Sequence, residues 1–178
     1  SAQGGTHCLG NAAMTGAPEG IGRDGAGRGV GTPEFYTPGE GWTTLTGAAN
    51  STIAGDWWYP RSWLKSDGTV LVIESSGTAN NTKVFFLDTD GTGSMTQIGN
   101  LPFTTTDDTP SIMIGTDLAL IMDNRGNLCT LDFSGNTPVF ENVGSVGQAR
   151  RESNMSILPD GTVVITGGSV GNNTLVGV

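Results

Sequence analysis

The chain has 178 residues, a formal net charge of −9 and 29 glycines, and only 14% of its residues are charged. The acidic balance argues against nucleic acid or an anionic membrane surface as a partner, and the low charged fraction argues against disorder. No apolar run approaches the roughly 18–20 residues of a membrane-spanning helix. Strong helix formers are scarce beside Gly, Thr, Asn and Ser, so the composition predicts an all-β protein with many tight turns.

The N-terminal region contains a glycine-rich motif that we interpret as a loop. Residues 20–25 read G-x-G-x-x-G, but Pro18 precedes them and further glycines follow them. A dinucleotide site needs a strand before this motif and a helix after it. The single histidine, His7, cannot form a metal site alone, although His7 and Cys8 could contribute to a site completed elsewhere.

A hairpin signal recurs along the chain. Residues 58–73 and 151–166 each place an Asp-Gly-Thr-Val turn between two short β runs. Asp67 and Asp160, which open these turns, lie 93 residues apart, so a third copy is expected halfway between them. Residues 110–122 supply that copy, with a tighter turn at residues 115–117.

A second hairpin follows each of the first two copies, and a similar hairpin precedes the first copy. The two that follow are predicted over residues 84–98 and 127–140, and the earlier one over residues 34–45, with turns rich in Gly, Pro, Asn and Ser. The repeating unit is therefore four strands in about 45–50 residues, which is typical of a kelch-like β-propeller blade.

The repeat predicts one partial propeller domain over residues 1–178. Its approximate units are 1–55, 56–100, 101–147 and an incomplete 148–178, or about three and a half four-stranded blades. A blade is apolar on both faces and must stack on neighbours. We therefore expect these blades to belong to a larger closed propeller, completed by the remainder of the propeller or by partner chains. We expect that propeller to be seven-bladed.

Two further motifs match functional patterns in their residue types but not in their sequence context. Asp88 and Asp90 precede Gly91 as in a calcium loop, but the remaining ligands are missing, so we predict a hairpin turn and no calcium site. Residues 167–171 read G-x-S-x-G, which in a hydrolase precedes a helix and requires a histidine partner. Asn172 and Asn173 follow instead, so Gly167 and Gly168 are interpreted as a strand end where backbones crowd.

The cysteines and the glycosylation sequons are evidence on the cellular location of the protein. Cys8 and Cys129 lack a C-x-x-C partner, which excludes a zinc cluster and leaves either one disulfide or two unrelated buried thiols. The acidic, lysine-poor composition and the sequons predict an extracellular or cell-surface protein. Sequons occur at Asn50, Asn80, Asn154 and Asn172.

The stretch from Asp56 to Pro60 (DWWYP) is the strongest candidate for chemistry. Its aromatic side chains could simply fill gaps between blades. Alternatively, Tyr59 presents its phenol at the propeller axis, where the first residues of the inner strands converge. Trp58-Tyr59-Pro60 with residues 65–73 resembles the W-Y-P…DG-x-V-L-V segment of glyoxal oxidases and galactose-oxidase-like proteins, and residues 150–169 resemble a later blade of the same family.

The resemblance implies a copper-radical oxidase. In that family two tyrosines and two histidines hold one copper, and one tyrosine is cross-linked to a cysteine and stores a radical. The resemblance implies that Tyr59 is the cross-linked tyrosine and a copper ligand, and that Cys8 is its candidate cross-linking partner. A Tyr-His pair and a further histidine are expected beyond Val178. The implied reaction is oxidation of a small aldehyde, primary alcohol or carbohydrate by O₂, with release of H₂O₂.

A non-catalytic function is the alternative. Kelch-like blades also serve as extracellular binding or surface-assembly scaffolds, because a fold does not determine a function. A Tyr-His pair at the start of the hairpin that follows Val178 would indicate the oxidase, and its absence would indicate the scaffold.

Overall fold

The structure is a computed structural model that describes residues 31–49, 60–74, 82–103, 105, 110–123 and 125–170. These residues form twelve strands and one short 3-10 helix, Thr46–Ala48, so the all-β prediction is confirmed. The part of the chain that the structure describes contains no helix long and apolar enough to cross a membrane.

The strands form four antiparallel sheets in which neighbours in sequence are also neighbours in space. Two sheets are hairpins, namely β1 (Glu34–Thr37) with β2 (Gly41–Thr44), and β11 (Arg151–Ile157) with β12 (Val163–Ser169). The first four-stranded sheet contains β3 (Arg61–Leu64), β4 (Val70–Ile73), β5 (Lys83–Asp88) and β6 (Ser94–Asn100). The second contains β7 (Ser111–Gly115), β8 (Leu118–Met122), β9 (Asn127–Asp132) and β10 (Val139–Ser145).

This arrangement is consistent with propeller-like blades. Each four-stranded sheet is a meander of two successive hairpins, as the repeat predicts. The described residues do not form a closed ring. The unit boundaries near residues 55, 100 and 147 and the number of blades stay predictions.

The first four-stranded sheet is buried on both faces because apolar side chains alternate along its central strands. In β4, Val72 packs in one cluster and Leu71 and Ile73 pack in another. The first apolar cluster contains Leu45, Ala48, Val72, Phe85 and Leu87. The second joins the two four-stranded sheets and contains Leu71, Ile73, Val84, Leu101, Ala119, Ile121, Leu131 and Phe133.

Consecutive sheets meet through a repeated contact. The backbone N–H of Gly47, after β2, donates a hydrogen bond to the carbonyl of Thr92 in the β5–β6 turn at 2.8 Å. One sheet further on, Gly99 near the end of β6 lies against Pro138, just before β10. In both cases a residue at or just after the last strand of one sheet lies against the last turn of the next sheet, which is consistent with propeller-like blades.

Gly168 supports the interpretation of the Gly-Gly pair as a crowded strand end. Its φ is +91°, and a Cβ there would lie 2.9 Å from the Arg151 carbonyl oxygen. Gly167 has a φ of +71° but no atom within 4 Å of the corresponding position. Gly167 therefore needs only the left-handed backbone, whereas Gly168 also needs the space.

We expect Gly168→Ala to lower the free energy of unfolding by about 2 kcal/mol and Gly167→Ala by about 1 kcal/mol. The adjacent Gly167 variant is the control, because it carries the same type of backbone strain without the steric overlap. Urea unfolding followed by circular dichroism measures both values. Equal losses in the two variants would contradict the packing argument.

Candidate functional site

Strands β3, β7 and β11 are the first strands of their sheets, and we call them the inner strands. Each sheet has two ends along the direction of its strands. We call the end that carries the turns at residues 65–69, 116–117 and 158–162 the hairpin end, and the opposite end the loop end. At the loop end Arg61, Ser111 and Arg151 are the first strand residues. A ligand at a propeller axis would contact residues at such strand starts.

The two residues predicted to carry copper chemistry, Tyr59 and Cys8, lie outside the described residues. The structure begins again at Pro60, which is half-buried and directly precedes Arg61 at the start of β3. The roles of Tyr59 and Cys8 therefore stay predictions. His7 and the glycine-rich motif at residues 20–25 also lie outside the described part.

Glu74 is a buried carboxylate at the loop end. Only 1% of the residue is exposed. It follows β4, and its Oε2 accepts a hydrogen bond at 2.9 Å from the backbone N–H of Lys83, the first residue of β5. The Lys83 ammonium Nζ lies 3.2 Å from Glu74 Oε1. The carboxylate therefore joins two strand ends and compensates the charge of a half-buried lysine.

Asp123 has the same function in the second four-stranded sheet. It follows β8, is 4% exposed, and its Oδ1 accepts the backbone N–H of Asn127, the first residue of β9, at 2.8 Å. It also accepts the backbone N–H of Arg125 and the side-chain amide of Asn127. Glu74 and Asp123 are thus equivalent anchors between the second and third strands of a sheet, and the sequence reasoning missed both.

The start of β11 combines cationic side chains with an unusual backbone. Glu152 has a φ of +55°, and Arg150 Nη1 donates a hydrogen bond to the Gly167 carbonyl at 2.7 Å. The β11–β12 pairing skips Glu152, since Arg151 pairs with Ser169 and Ser153 with Gly167. Glu152 is exposed, so its side chain is available to solvent. The irregularity places a strained acidic residue at the loop end.

At the loop end, the side-chain hydroxyl of Ser111 lacks a hydrogen-bond partner among the described residues. The Ser111 Oγ is buried. A buried hydroxyl without a partner is costly.

At the hairpin end, Asp117 connects the two four-stranded sheets. Its carboxylate accepts hydrogen bonds from the backbone N–H of Ser66, at 2.7 Å, and from the Ser66 hydroxyl. Asp117 is 5% exposed and has a φ of +53°. Its own carbonyl accepts the N–H of Phe133 at 2.9 Å. This residue therefore holds the β3–β4 turn against the β7–β8 turn.

Next to this contact, Lys65 is almost fully buried and is paired with Asp67. Its ammonium lies 5.6 Å from the centroid of the Phe86 ring, a cation–π distance. The hydrogen bond from Lys65, with one from the Thr69 backbone, lowers the pKa of Asp67 to about 2. Because this folded-state pKa is below the usual 3.8, the pair contributes stability above pH 3.8 that is lost as the pH falls toward 2.

The other predicted motifs take the forms expected of turns and strands. Asp88 and Asp90 are exposed, and Asp88 Oδ1 accepts the Asp90 backbone N–H at 2.9 Å, which is an Asx turn. In the G-x-S-x-G segment, Gly167 to Ser169 belong to β12. Throughout the described ranges, no three His, Cys, Asp or Glu residues are grouped so that they could hold a metal ion.

Cys129 is a free, buried thiol in β9. Burial raises its pKa to about 11, so the thiol is protonated and unreactive at neutral pH. Of the four sequons, Asn154 is described and is exposed on β11. Asn50, Asn80 and Asn172 lie outside the described residues, as does Cys8.

Comparison with known proteins finds distant similarity among solved structures. No protein-family model matches the chain, and no curated protein matches it. Among solved structures, the chain is similar to a novel fungal alcohol oxidase of the AA5 family in complex with copper, with a TM-score of 0.46 and 17% sequence identity. The match covers 78% of this chain and 42% of that one, so the chain spans less than half the length of the oxidase. At this identity and score the similarity does not identify a site in this chain.

Proposed function

We propose that this chain is part of an extracellular copper-radical oxidase-like protein that oxidises a primary alcohol or an aldehyde with O₂. One observation carries the proposal. The Trp58-Tyr59-Pro60 motif leads directly into β3, the first strand of a four-stranded meander, and the Asp67-Gly68 turn follows between β3 and β4. This order of motif, inner strand and turn is the one in which the family resemblance places the copper tyrosine. The exposed Asn154 sequon is compatible with a secreted protein.

The proposed chemistry assigns Tyr59 two functions. Its phenolate oxygen would be a copper ligand, because Cu(II) favours nitrogen and oxygen donors, and its ring would lose one electron reversibly. Bound copper would be the second group, beside the Tyr59 ring, that gains or loses one electron in the reaction. The balanced reaction is RCH₂OH + O₂ → RCHO + H₂O₂, in which two electrons and two protons pass from the alcohol to O₂. An aldehyde would react as its hydrate and give the carboxylic acid.

Cys8 is the proposed cross-linking partner of Tyr59. A thioether would form between Cys8 Sγ and a ring carbon of Tyr59, with two electrons and two protons passing to O₂. The cross-link would stabilise the oxidised ring by donating electron density from sulfur. Mass spectrometry of the copper-loaded protein should show a joined peptide that has lost two hydrogen atoms. A free Cys8 thiol together with an unmodified Tyr59 would overturn this assignment.

The ligand set is proposed to be completed outside this chain. The Tyr-His pair and the further histidine that the family resemblance implies are expected beyond Val178. The described residues contain no group of His, Cys, Asp or Glu that could substitute for them. Copper binding is therefore a property to test in the full reading frame.

We expect Tyr59→Phe to reduce H₂O₂ release by about a hundredfold or more in the copper-loaded full-length protein, because the substitution removes the ligand oxygen. The substrates to test are methylglyoxal and galactose, and bound copper is measured after dialysis. Leu64→Ala is the control, because Leu64 lies on the same inner strand and is 70% exposed.

The non-catalytic alternative gives a different result. If the wild-type full-length protein retains no copper after dialysis and releases no H₂O₂ from either substrate, the oxidase proposal is wrong. The protein would then be a kelch-like extracellular scaffold.

A further inference from the structure

The triplet Asp-Gly-Thr occurs in three turns that the structure describes. It spans residues 67–69 in the β3–β4 turn, residues 90–92 in the β5–β6 turn and residues 160–162 in the β11–β12 turn. A fourth Asp-Gly pair, at Asp24, lies outside the described residues. An Asp-Gly bond can rearrange without an enzyme, because glycine has no side chain to hinder attack of its nitrogen on the aspartate carboxyl. Since the three triplets are identical, differences in their reactivity come from the surrounding structure.

The rearrangement takes place in two steps. The glycine nitrogen attacks Cγ of the aspartate, a C–N bond forms, and one water leaves with the carboxyl oxygen, the amide proton and the carboxyl proton. Water then opens the five-membered imide. Opening at the main-chain carbonyl gives isoaspartate, whose backbone contains one additional methylene group. The water that was lost is regained, so no oxidant or reductant is needed. The reaction therefore requires an amide that can lose its proton and a carboxyl that can be protonated.

In the β3–β4 turn, both reacting groups are engaged in hydrogen bonds. The backbone N–H of Gly68 donates to the Lys65 carbonyl at 3.0 Å. The Asp67 carboxylate accepts the backbone N–H of Thr69 at 3.0 Å and is paired with the Lys65 ammonium. The bonds from Lys65 and Thr69 favour the ionised carboxylate and lower the pKa of Asp67 to about 2. This triplet is therefore protected at both the nitrogen and the carboxyl.

The β11–β12 turn repeats this arrangement. The backbone N–H of Gly161 donates to the Leu158 carbonyl at 2.9 Å, and Asp160 Oδ1 accepts the backbone N–H of Thr162 at 2.9 Å. The bond from Thr162 lowers the pKa of Asp160, so its carboxyl is protonated less often than that of an ordinary aspartate. Asp160 and Gly161 are both exposed, which shows that a turn can be exposed and still have its reacting groups held.

The β5–β6 turn lacks both restraints. Among the described residues, no group accepts a hydrogen bond from the Gly91 N–H and none donates one to the Asp90 carboxylate. Asp90 is held through its main chain instead, since its N–H donates to Asp88 Oδ1 and its carbonyl accepts the Gly93 N–H, both at 2.9 Å. Asp90 and Gly91 are exposed, and no atom lies within 4 Å of the position of a Cβ at Gly91. The attacking nitrogen and the carboxyl are therefore both available.

We propose that Asp90 is a site of spontaneous isoaspartate formation, and that this change loosens the first hairpin, β1 with β2, from the first four-stranded sheet. The added methylene enters the backbone just before the residues that contact the hairpin. The Thr92 carbonyl accepts the 2.8 Å hydrogen bond from Gly47. At Gly93 a Cβ would lie 2.8 Å from Leu45 Cβ, so the two units are closely packed there. Close packing of this kind does not absorb an additional backbone atom without displacement. The modification is independent of the proposed copper chemistry.

Peptide mapping of the folded full-length protein, incubated for several weeks at mildly acidic pH, tests the first part of the proposal. Trypsin cleaves after Lys and Arg, so the three triplets fall in separate peptides, which cover residues 66–83, residues 84–125 and the chain from residue 152. Electron-transfer fragmentation distinguishes isoaspartate from aspartate. We expect isoaspartate to form at Asp90 at least about tenfold faster than at Asp67 or Asp160, because hydrogen bonds must break first at those two sites.

Unfolded protein is the control for intrinsic reactivity. In urea above the unfolding midpoint, the three triplets should form isoaspartate at similar rates, because the native hydrogen bonds are lost. Asp90→Glu keeps the charge but cannot form the five-membered imide, so residue 90 of this variant should not rearrange. Asp160→Glu is the matched control and should leave the rate at Asp90 unchanged.

Hydrogen exchange tests the second part of the proposal. In protein that has rearranged at Asp90, the Gly47 N–H should exchange about tenfold faster or more, because its acceptor is the displaced Thr92 carbonyl. Asp90→Glu that is incubated in the same way should keep the exchange rate of fresh wild-type protein.

Three results would overturn the proposal. The first is equal rates of isoaspartate formation at the three triplets of the folded protein. The second is no isoaspartate at Asp90 in the folded protein under conditions that produce it in the unfolded chain. The third is unchanged exchange of the Gly47 N–H in rearranged protein, which would show that the change at Asp90 does not affect the attachment of the hairpin.

Discussion

Replacing Glu74 by Ala should lower the free energy of unfolding by about 3–5 kcal/mol, the range for breaking a buried ion pair by removing one partner. The substitution leaves the backbone N–H of Lys83 without its 2.9 Å acceptor and the Lys83 ammonium without its carboxylate. Lys83 Nζ retains part of its hydration because its side chain is 25% exposed. The expected loss therefore lies toward the lower end of the range. Urea unfolding followed by circular dichroism measures it.

Glu74→Gln is the matched control for this prediction. The amide oxygen can still accept from the Lys83 N–H, but the charge that compensates the ammonium is lost. We therefore expect a loss of about 1–2 kcal/mol. An unfolding midpoint in Glu74→Ala equal to that of the wild type would show that this carboxylate does not join β4 to β5.

The second large effect is expected at Asp117. Asp117→Ala should cost about 2–4 kcal/mol, because it removes both acceptors of Ser66 and places alanine at a φ of +53°. The contact joins residues 51 positions apart and connects the turns of two sheets. Its loss should therefore also increase hydrogen exchange at the β7–β8 turn, where the Phe133 N–H bonds to the Asp117 carbonyl.

Three further substitutions separate the contribution of the Asp117–Ser66 hydrogen bonds from that of the backbone strain at residue 117. Asp117→Gly removes the hydrogen bonds but tolerates the left-handed backbone, so it should be about 1 kcal/mol more stable than Asp117→Ala. Asp117→Asn keeps an acceptor and also tolerates this backbone, so it should be the least damaging of the alanine, glycine and asparagine substitutions at residue 117. Ser66→Ala removes only the hydroxyl donor. If alanine and glycine give the same stability, backbone strain at residue 117 does not contribute.

Much of the strand pattern could be predicted from local sequence. The predicted strand over residues 127–132 coincides with β9, and the predicted turn at residues 115–117 overlaps the observed β7–β8 turn, which spans residues 116–117. Such agreement is expected where apolar residues alternate and a turn residue follows, because both signals act over a few neighbouring residues. In β10 the prediction ended at Phe140, whereas the strand continues to Ser145.

The extension of β10 illustrates why outer strands are harder to predict. Residues 141–145 are exposed, and Val143 is the one apolar side chain among them, so they carry no alternating apolar signal. They are strand residues because β9 supplies a hydrogen-bonding partner, with an irregularity between Asn142 and Gly144. Backbone pairing of this kind depends on the neighbouring strand and not on the side chains of the segment itself.

The candidate sites depended on tertiary structure to a greater degree. An acidic residue directly after an apolar strand was a usable signal for Glu74 and Asp123, but burial and partners made them anchors. The sequence placed an identical Asp-Gly-Thr triplet in three turns, yet the structure was needed to show that the hydrogen bonds at Asp67 and Asp160 have no counterpart at Asp90 within the described ranges. The role of Tyr59 as a copper ligand stays a prediction that rests on the sequence motif.

The amino-acid sequence by itself determined the all-β class and the hairpin repeat. These features follow from periodicity and turn residues, which act within a few residues. The copper role of Tyr59 stays a prediction that the family resemblance implies. The tertiary structure alone decided which charges are buried, which turns are joined and which carboxylates accept hydrogen bonds. Those properties arise from contacts such as Ser66 with Asp117, between residues far apart in the chain, where desolvation and partner geometry set the energy.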